Sequence, residues 1–297
     1  MNMNRLRIWT IVVAVLSAAF GAHAQEDQFF DSDGVKLRYI VKGEGEPVVL
    51  IHGFTASIEM NWKGPGVLDA LAQDYQVIAF DNRGHGKSGK PHGGENYGKA
   101  MSEDIVRLLD HLTIEKAHIV GYSLGGIIAL NFTVRHPERT ISTVVGGQGY
   151  NPPDGPNGDL AIRIAESLEK GDGLRPLIEL LTPADRPKPT EEQIKMTNNM
   201  LTAVNDVQAL AGVMRGMSDL VVTPEQLKKN TIPTLGLVGS IDPLRVMTEA
   251  MRAAMANVKD VVVLDGADHM SAMSHPGFLK AIQDFLAANG VAKSTGD

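Results

Sequence analysis

Gly121-Tyr122-Ser123-Leu124-Gly125 is the stretch that decides the fold. It follows an apolar run, Ala117-His118-Ile119-Val120, and opens onto a second, Ile127-Ile128-Ala129-Leu130. The order reads as strand, sharp turn, helix, with a serine at the apex. Such a turn strains the serine backbone and stands its hydroxyl clear of the sheet. Flanking glycines let strand and helix approach without a Cβ clash, and the helix N-terminus adds free N–H groups. The plainer reading is a glycine-rich loop with a solvated serine. With 31 glycines in 297 residues, the surroundings must choose between them.

Outward from this turn, the chain alternates strands and helices. Val35 to Val41 alternates as a strand with Leu37, Tyr39 and Val41 on one face. Pro47 to Ile51 and Gln76 to Phe80 are continuous apolar runs, as in strands covered on both sides. Val67 to Ala72 and Tyr97 to Leu112 read as helices, the second amphipathic. Thr140 to Val145, Ile232 to Val238 and Val261 to Leu264 read as further strands, and Pro276 to Ala288 as a closing helix. The pattern predicts an α/β fold: a mostly parallel sheet with helices on both faces. The rhythm breaks at Asn151-Pro152-Pro153-Asp154-Gly155-Pro156, and a proline-cut helical stretch follows to Lys229. The expected organisation is a signal segment at 1–24, a core at 25–148 and 231–297, and a helical insertion at 149–230. Met196, Met200, Met214 and Met217 in the insertion suit either a pocket for varied apolar groups or ordinary helix packing.

The first residues read as an export signal. Asn4, Arg5 and Arg7 make a basic start, Ile8 to Phe20 an apolar core, and Ala22-His23-Ala24 a cleavage site ahead of Gln25. An uncleaved anchor is the alternative; with cleavage, no stable membrane insertion and a periplasmic or secreted protein are expected. The chain has no cysteine, which excludes disulfides, a thiol nucleophile, thiolate zinc sites and iron–sulfur clusters. About 270 residues would remain, enough to stand on a hydrophobic core. The net charge of −7 becomes −9 when Arg5 and Arg7 leave, and no basic cluster survives, so nucleic acid and anionic membranes are not expected partners.

Acyl transfer by a serine needs a base, a group that orients the base, and donors for the developing oxyanion. A parallel sheet gathers them at the carboxyl ends of its strands. The base is expected at His269, just past Val261 to Leu264; the other histidines fall in the signal, within helices, inside a strand or in glycine-rich loops. Asp242, directly after Ile232 to Val238, is the expected orienting acid, although it would also serve as a helix N-cap. Asp219 is the rival. The oxyanion donors are expected to be the N–H groups of Leu124 and of Phe54, the latter in the loop Ile51-His52-Gly53-Phe54.

The order Ser123, Asp242, His269, with His52-Gly53-Phe54 upstream, resembles the α/β-hydrolase fold family. Asp81-Asn82-Arg83-Gly84-His85-Gly86-Lys87-Ser88 is similar to that family's D-x-R-G-x-G-x-S segment. The landmarks run from about Asp31 to Ala288, and the insertion resembles the family's lid or cap domain. Dehalogenases and epoxide hydrolases of this family carry aspartate where Ser123 stands. The resemblance therefore implies a serine member: carboxylesterase, lipase, lactonase, C–C bond hydrolase or perhydrolase, all with the same triad.

Gly84 to Gly89 spells a dinucleotide fingerprint, but Lys90-Pro91 and Gly93-Gly94 follow where a helix must begin. Arg83 is expected to tie this loop structurally. No H-E-x-x-H occurs and the histidines are scattered, so no metal is expected. The resulting expectation is an exported serine esterase acting through an acyl-enzyme on small to medium carboxylic esters, with no cofactor. A lactonase, a C–C bond hydrolase or a ligand-binding member of the family are the alternatives.

Overall fold

The computed structural model describes residues 27–152 and 159–291; the expected signal at 1–24 lies outside them. Eight strands form one sheet: β1 (Gln28–Ser32), β2 (Val35–Lys42), β3 (Glu46–Ile51), β4 (Tyr75–Phe80), β5 (Ala117–Tyr122), β6 (Thr140–Gly146), β7 (Thr234–Gly239) and β8 (Val258–Leu264). Their spatial order is β1-β2-β4-β3-β5-β6-β7-β8. β4 to β8 with β3 are parallel, and the β1–β2 ribbon adds antiparallel to β4 at one edge.

Alternation along β3 explains the layers. Val49 and Ile51 pack to one side, with α2 (Lys99–His111) and α3 (Leu124–Arg135). Val48 and Leu50 pack to the other, with α1 (Val67–Leu71) and α10 (Pro276–Ala288). Both faces are therefore covered, which is why the central strands read as unbroken apolar runs. Between β6 and β7 come α4 (Leu160–Lys170), α5 (Arg175–Leu180), α6 (Glu191–Val204), α7 (Val207–Gly216) and α8 (Pro224–Lys229); α9 (Arg245–Ala254) follows β7. Met247, Met251 and Met255 are buried on that side. In the insertion the methionines divide: Met214 is buried, whereas Met196 and Met200 are 69% and 63% exposed.

Leu37 and Tyr39 face the core of β2 as the alternation requires, but Arg38 and Ile40 behind them are also buried. Arg38 is only 1% exposed. It is matched by carboxylates: Asp27 at 2.6 Å, Glu59 at 2.9 and 2.6 Å, and Asp81 at 3.0 Å. A buried guanidinium is tolerable only when its donors are taken up in this way. Arg83 ties its loop as expected, bonding both oxygens of Asp104 at 2.7 and 2.6 Å and the Asn96 carbonyl at 2.7 Å. The glycine loop at 84–89 closes on the protein's own carboxylate. Asp81 Oδ2 accepts from the Lys87 N–H at 2.8 Å, and a Cβ on Gly86 would strike that carboxyl group at 2.3 Å.

Candidate active site

β5 ends at Tyr122 and α3 begins at Leu124, so Ser123 alone makes the turn. Its φ is 56° and its ψ −119°, values that a non-glycine residue holds only under constraint. The Ser123 N–H donates to the Gly146 carbonyl at 2.8 Å, and the Ser123 carbonyl accepts from Gly126 at 2.8 Å and Ile127 at 3.2 Å. A Cβ on Gly121 would lie 2.0 Å from the Gly125 oxygen, and one on Gly125 would lie 2.0 Å from the Ile51 oxygen. Both positions accept only glycine.

The loops after β7 and β8 are fastened together. Ser240 N–H donates to Leu264 O at 2.8 Å and Ile241 N–H to Ala267 O at 3.1 Å. This brings Asp242 and His269 into register. His269 Nδ1 lies 2.9 Å from Asp242 Oδ2, and His269 Nε2 lies 3.0 Å from Ser123 Oγ. The three side chains that the sequence singled out thus form one chain of contacts. The capping alternative for Asp242 is met at the same time: its Oδ1 accepts from the Leu244 N–H at 2.8 Å, leaving Oδ2 for the imidazole. Asp219 lies elsewhere, exposed and packed against Gly98 at the start of α2.

On the opposite side of Ser123, β3 delivers His52-Gly53-Phe54. A Cβ on Gly53 would approach the Ser123 Cβ to 3.2 Å, so the loop runs directly against the nucleophile. His52 is fully buried; its Nε2 accepts from the Asn82 N–H at 3.0 Å and its Nδ1 donates to Gly53 O at 2.8 Å. Burial lowers its pKa, so it is a neutral brace. Among the described residues, the N–H groups of Phe54 and Leu124 donate to no protein acceptor. They are the two donors expected for an oxyanion.

Sequence reasoning missed three neighbours. The Tyr122 hydroxyl donates to His269 O at 2.5 Å, and its ring lies 5.3 Å from the imidazole. Burial raises the Tyr122 pKa well above 10, aided by Asp242 and Asp268, so the phenol keeps its proton. Tyr122 stood inside the opening pentapeptide, yet nothing in the spacing revealed the backbone it would reach. Asn61 Oδ1 accepts from the Gly53 N–H at 2.7 Å. It comes from a π-helical turn, Glu59–Lys63, a feature often found at functional sites and invisible to periodicity. Gly147, at φ 59°, clears space: a Cβ there would meet the Tyr122 ring at 2.8 Å and His269 Cε1 at 3.0 Å.

Ser123, Phe54 and Leu124 open into a cavity of ≈ 560 Å³ between the sheet and the insertion. Its walls include Ile127 and Leu130 from α3, Leu160 and Ile164 from α4, Leu177 from α5 and Met214 from α7. A base-activated hydroxyl, two free N–H donors and an apolar recess suit addition to a carbonyl carbon.

Comparison with known proteins bears on the fold. Residues 46–171 match the family described as "alpha/beta hydrolase fold". The chain is 36% identical over 156 residues to the dihydrolipoyllysine-residue acetyltransferase component of the acetoin cleaving system of Cupriavidus necator. That match spans 52% of this chain and 40% of that protein. It is 28% identical to 2-hydroxy-6-oxo-6-(2'-aminophenyl)hexa-2,4-dienoic acid hydrolase of Metapseudomonas resinovorans, covering 89% of this chain and 92% of the other. Among solved structures, a thermophilic esterase from Thermogutta terrifontis superposes with a TM-score of 0.73 at 26% identity, covering 90% of this chain and 100% of that one. From the elbow serine to the sheet order and the loops that follow its strands, the chain has the α/β-hydrolase fold.

Proposed function

We propose that this protein is a serine ester hydrolase that works through an acyl-enzyme. The observation that carries this reading is the pair of contacts at 3.0 Å and 2.9 Å linking Ser123, His269 and Asp242 at the mouth of an apolar cavity. As Ser123 Oγ attacks the ester carbonyl, its proton passes to His269 Nε2. The N–H groups of Phe54 and Leu124 hold the oxyanion. When the intermediate collapses, the carbonyl–alkoxy bond breaks and the alkoxide takes the proton from His269. Water then repeats the sequence on the acyl-serine and releases the acid. Asp242 holds the Nδ1 proton and so fixes the tautomer. The chemistry draws on no cofactor.

Likeness to a dienoic acid hydrolase supports a second reading, C–C bond hydrolysis at the same triad. Lactones, as cyclic esters, belong to the first. Export is part of the proposal, on the basic start, apolar run and Ala22-His23-Ala24; sequencing the N-terminus of material from the extracytoplasmic fraction should find Gln25. The reading as a whole is tested with a fluorophosphonate probe and a p-nitrophenyl ester panel. Wild-type protein should be labelled at Ser123 and turn over esters, and Ser123→Ala should do neither while remaining folded. Undiminished turnover by Ser123→Ala would remove the mechanism, and a folded wild type that resists the probe would favour a binding protein.

A further inference from the structure

We propose that the acyl cavity selects an uncharged, apolar acyl group and excludes substrates that carry a free carboxylate into it. The inference rests on the ester-hydrolase reading and concerns what that site accepts. Apolar side chains from the insertion and from α3 make most of the wall; besides Ser123, its neutral polar members are Gln148, Tyr150, Asn151 and Ser218. Arg215 is the one cationic residue among the described residues that line it. Its guanidinium is already engaged. Nε and a terminal nitrogen grip the two oxygens of Glu169 at 3.0 and 2.6 Å, a two-pronged pairing that gives the guanidinium a counter-ion of its own. Glu169 itself is absent from the cavity wall.

Arg186 bonds Asp268 Oδ2 at 2.6 Å beside His269 and is likewise outside the lining. A carboxylate drawn into this cavity would exchange water for neutral donors and meet no unpaired cation among the described lining residues. Stranding a charge in this way weakens the transition state on the order of 100-fold or more. A neutral chain instead gains from each buried methylene, about fourfold in kcat/KM until the space is filled. A cavity of ≈ 560 Å³ is ample for a medium-length chain.

The test compares methyl octanoate, monomethyl suberate and dimethyl suberate, which present eight-carbon acyl chains with a methyl, a carboxylate and a neutral ester at the far end. Proton release is followed in a pH-stat at pH 7, alongside fluorophosphonate labelling. The proposal expects methyl octanoate to exceed monomethyl suberate by 100-fold or more in kcat/KM, and dimethyl suberate to recover most of the loss. Comparable rates for octanoate and monomethyl suberate, in enzyme that labels at Ser123, overturn the charge selection and leave the esterase reading standing. If dimethyl suberate is as poor as the monoester, length or polarity governs and charge selection is again overturned. No labelling and no turnover of any ester would overturn both.

Discussion

Replacing Tyr122 with phenylalanine deletes one oxygen from the site. The ring contacts, 5.7 Å to Phe278 and 5.3 Å to His269, can persist. What is lost is the 2.5 Å bond from the hydroxyl to the His269 carbonyl. That carbonyl belongs to a buried residue, and leaving a buried acceptor unpaired costs about 1–3 kcal/mol. In a chain of this size, such a loss lowers Tm by roughly 2–4 °C for each kcal/mol. The kinetic consequence is separate. The hydroxyl anchors the backbone that carries the imidazole, and the imidazole must stay in line with Ser123 Oγ and Asp242. A displacement of about 1 Å can cost 100-fold in rate. With Asp242 still holding Nδ1, we expect a smaller loss, about tenfold in kcat with KM little changed. Thermal melts and steady-state kinetics on a p-nitrophenyl ester measure the two effects on one preparation. A lower Tm with wild-type kcat would reduce Tyr122 to a packing residue. A wild-type value for both would mean that the bond contributes nothing, and the reasoning would fail.

Asn61→Ala removes the acceptor that orients Gly53, and with it the peptide bearing the Phe54 N–H. Since outright loss of an oxyanion donor costs about 100- to 1,000-fold in kcat, its misplacement should cost about tenfold in kcat, with KM unmoved; a change in KM alone would contradict this role. Asp242→Asn should lower kcat by several powers of ten, because an amide favours the wrong imidazole tautomer, and a mild loss would return Asp219 to consideration. Hydrogen bonding to Arg38 draws the Glu59 pKa from its ordinary 4.5 to about 2. The stabilisation from this pair is therefore complete above about pH 4.5 and is lost as pH falls towards 2. Glu59→Gln should flatten the acid limb of the stability profile in that window, as read by urea midpoints at successive pH values.

The sheet was legible because its central strands are covered on both faces and so carry long apolar runs. The elbow was legible because Gly121 and Gly125 are demanded by backbone oxygens 2.0 Å from where a Cβ would sit. Ser123, Asp242 and His269 followed from strand ends, without any knowledge of distance. What stayed hidden depends on contacts between distant segments. β1 has only Phe30 and Ser32 turned inward, too short a pattern to distinguish from a loop. Arg38 looked like a solvent-facing residue of an alternating strand; its burial depends on carboxylates 11, 21 and 43 positions away. Asn61 and Tyr122 act through backbone groups, which leave no mark on side-chain spacing.

Among the described residues, the supports of the site fall into two sets with no hydrogen-bond partner in common. The base is held by the joined loops after β7 and β8 and by Tyr122. The oxyanion loop is held by Asn61 on one flank and by Asp81 on the other, whose Oδ1 accepts from the Ile58 N–H at 2.9 Å while Oδ2 meets Arg38. Arg38 in turn grips Glu59, the first residue of the turn that carries Asn61. A buried cation in the edge ribbon thereby braces the loop that presents the Phe54 N–H. This gives the carboxylate cluster a reason beyond stability, since hydrophobic replacement of a buried ion cluster is often neutral or stabilising. The fixed charges define where the loop stands relative to Ser123. An apolar substitute at position 38 would take the counter-ion from the fully buried Asp81, leaving it only the Ile58 and Lys87 N–H groups, and release the turn at Glu59. Damage there should appear first in the oxyanion contribution to kcat, with the contacts of His269 to Ser123 and Asp242 unaffected.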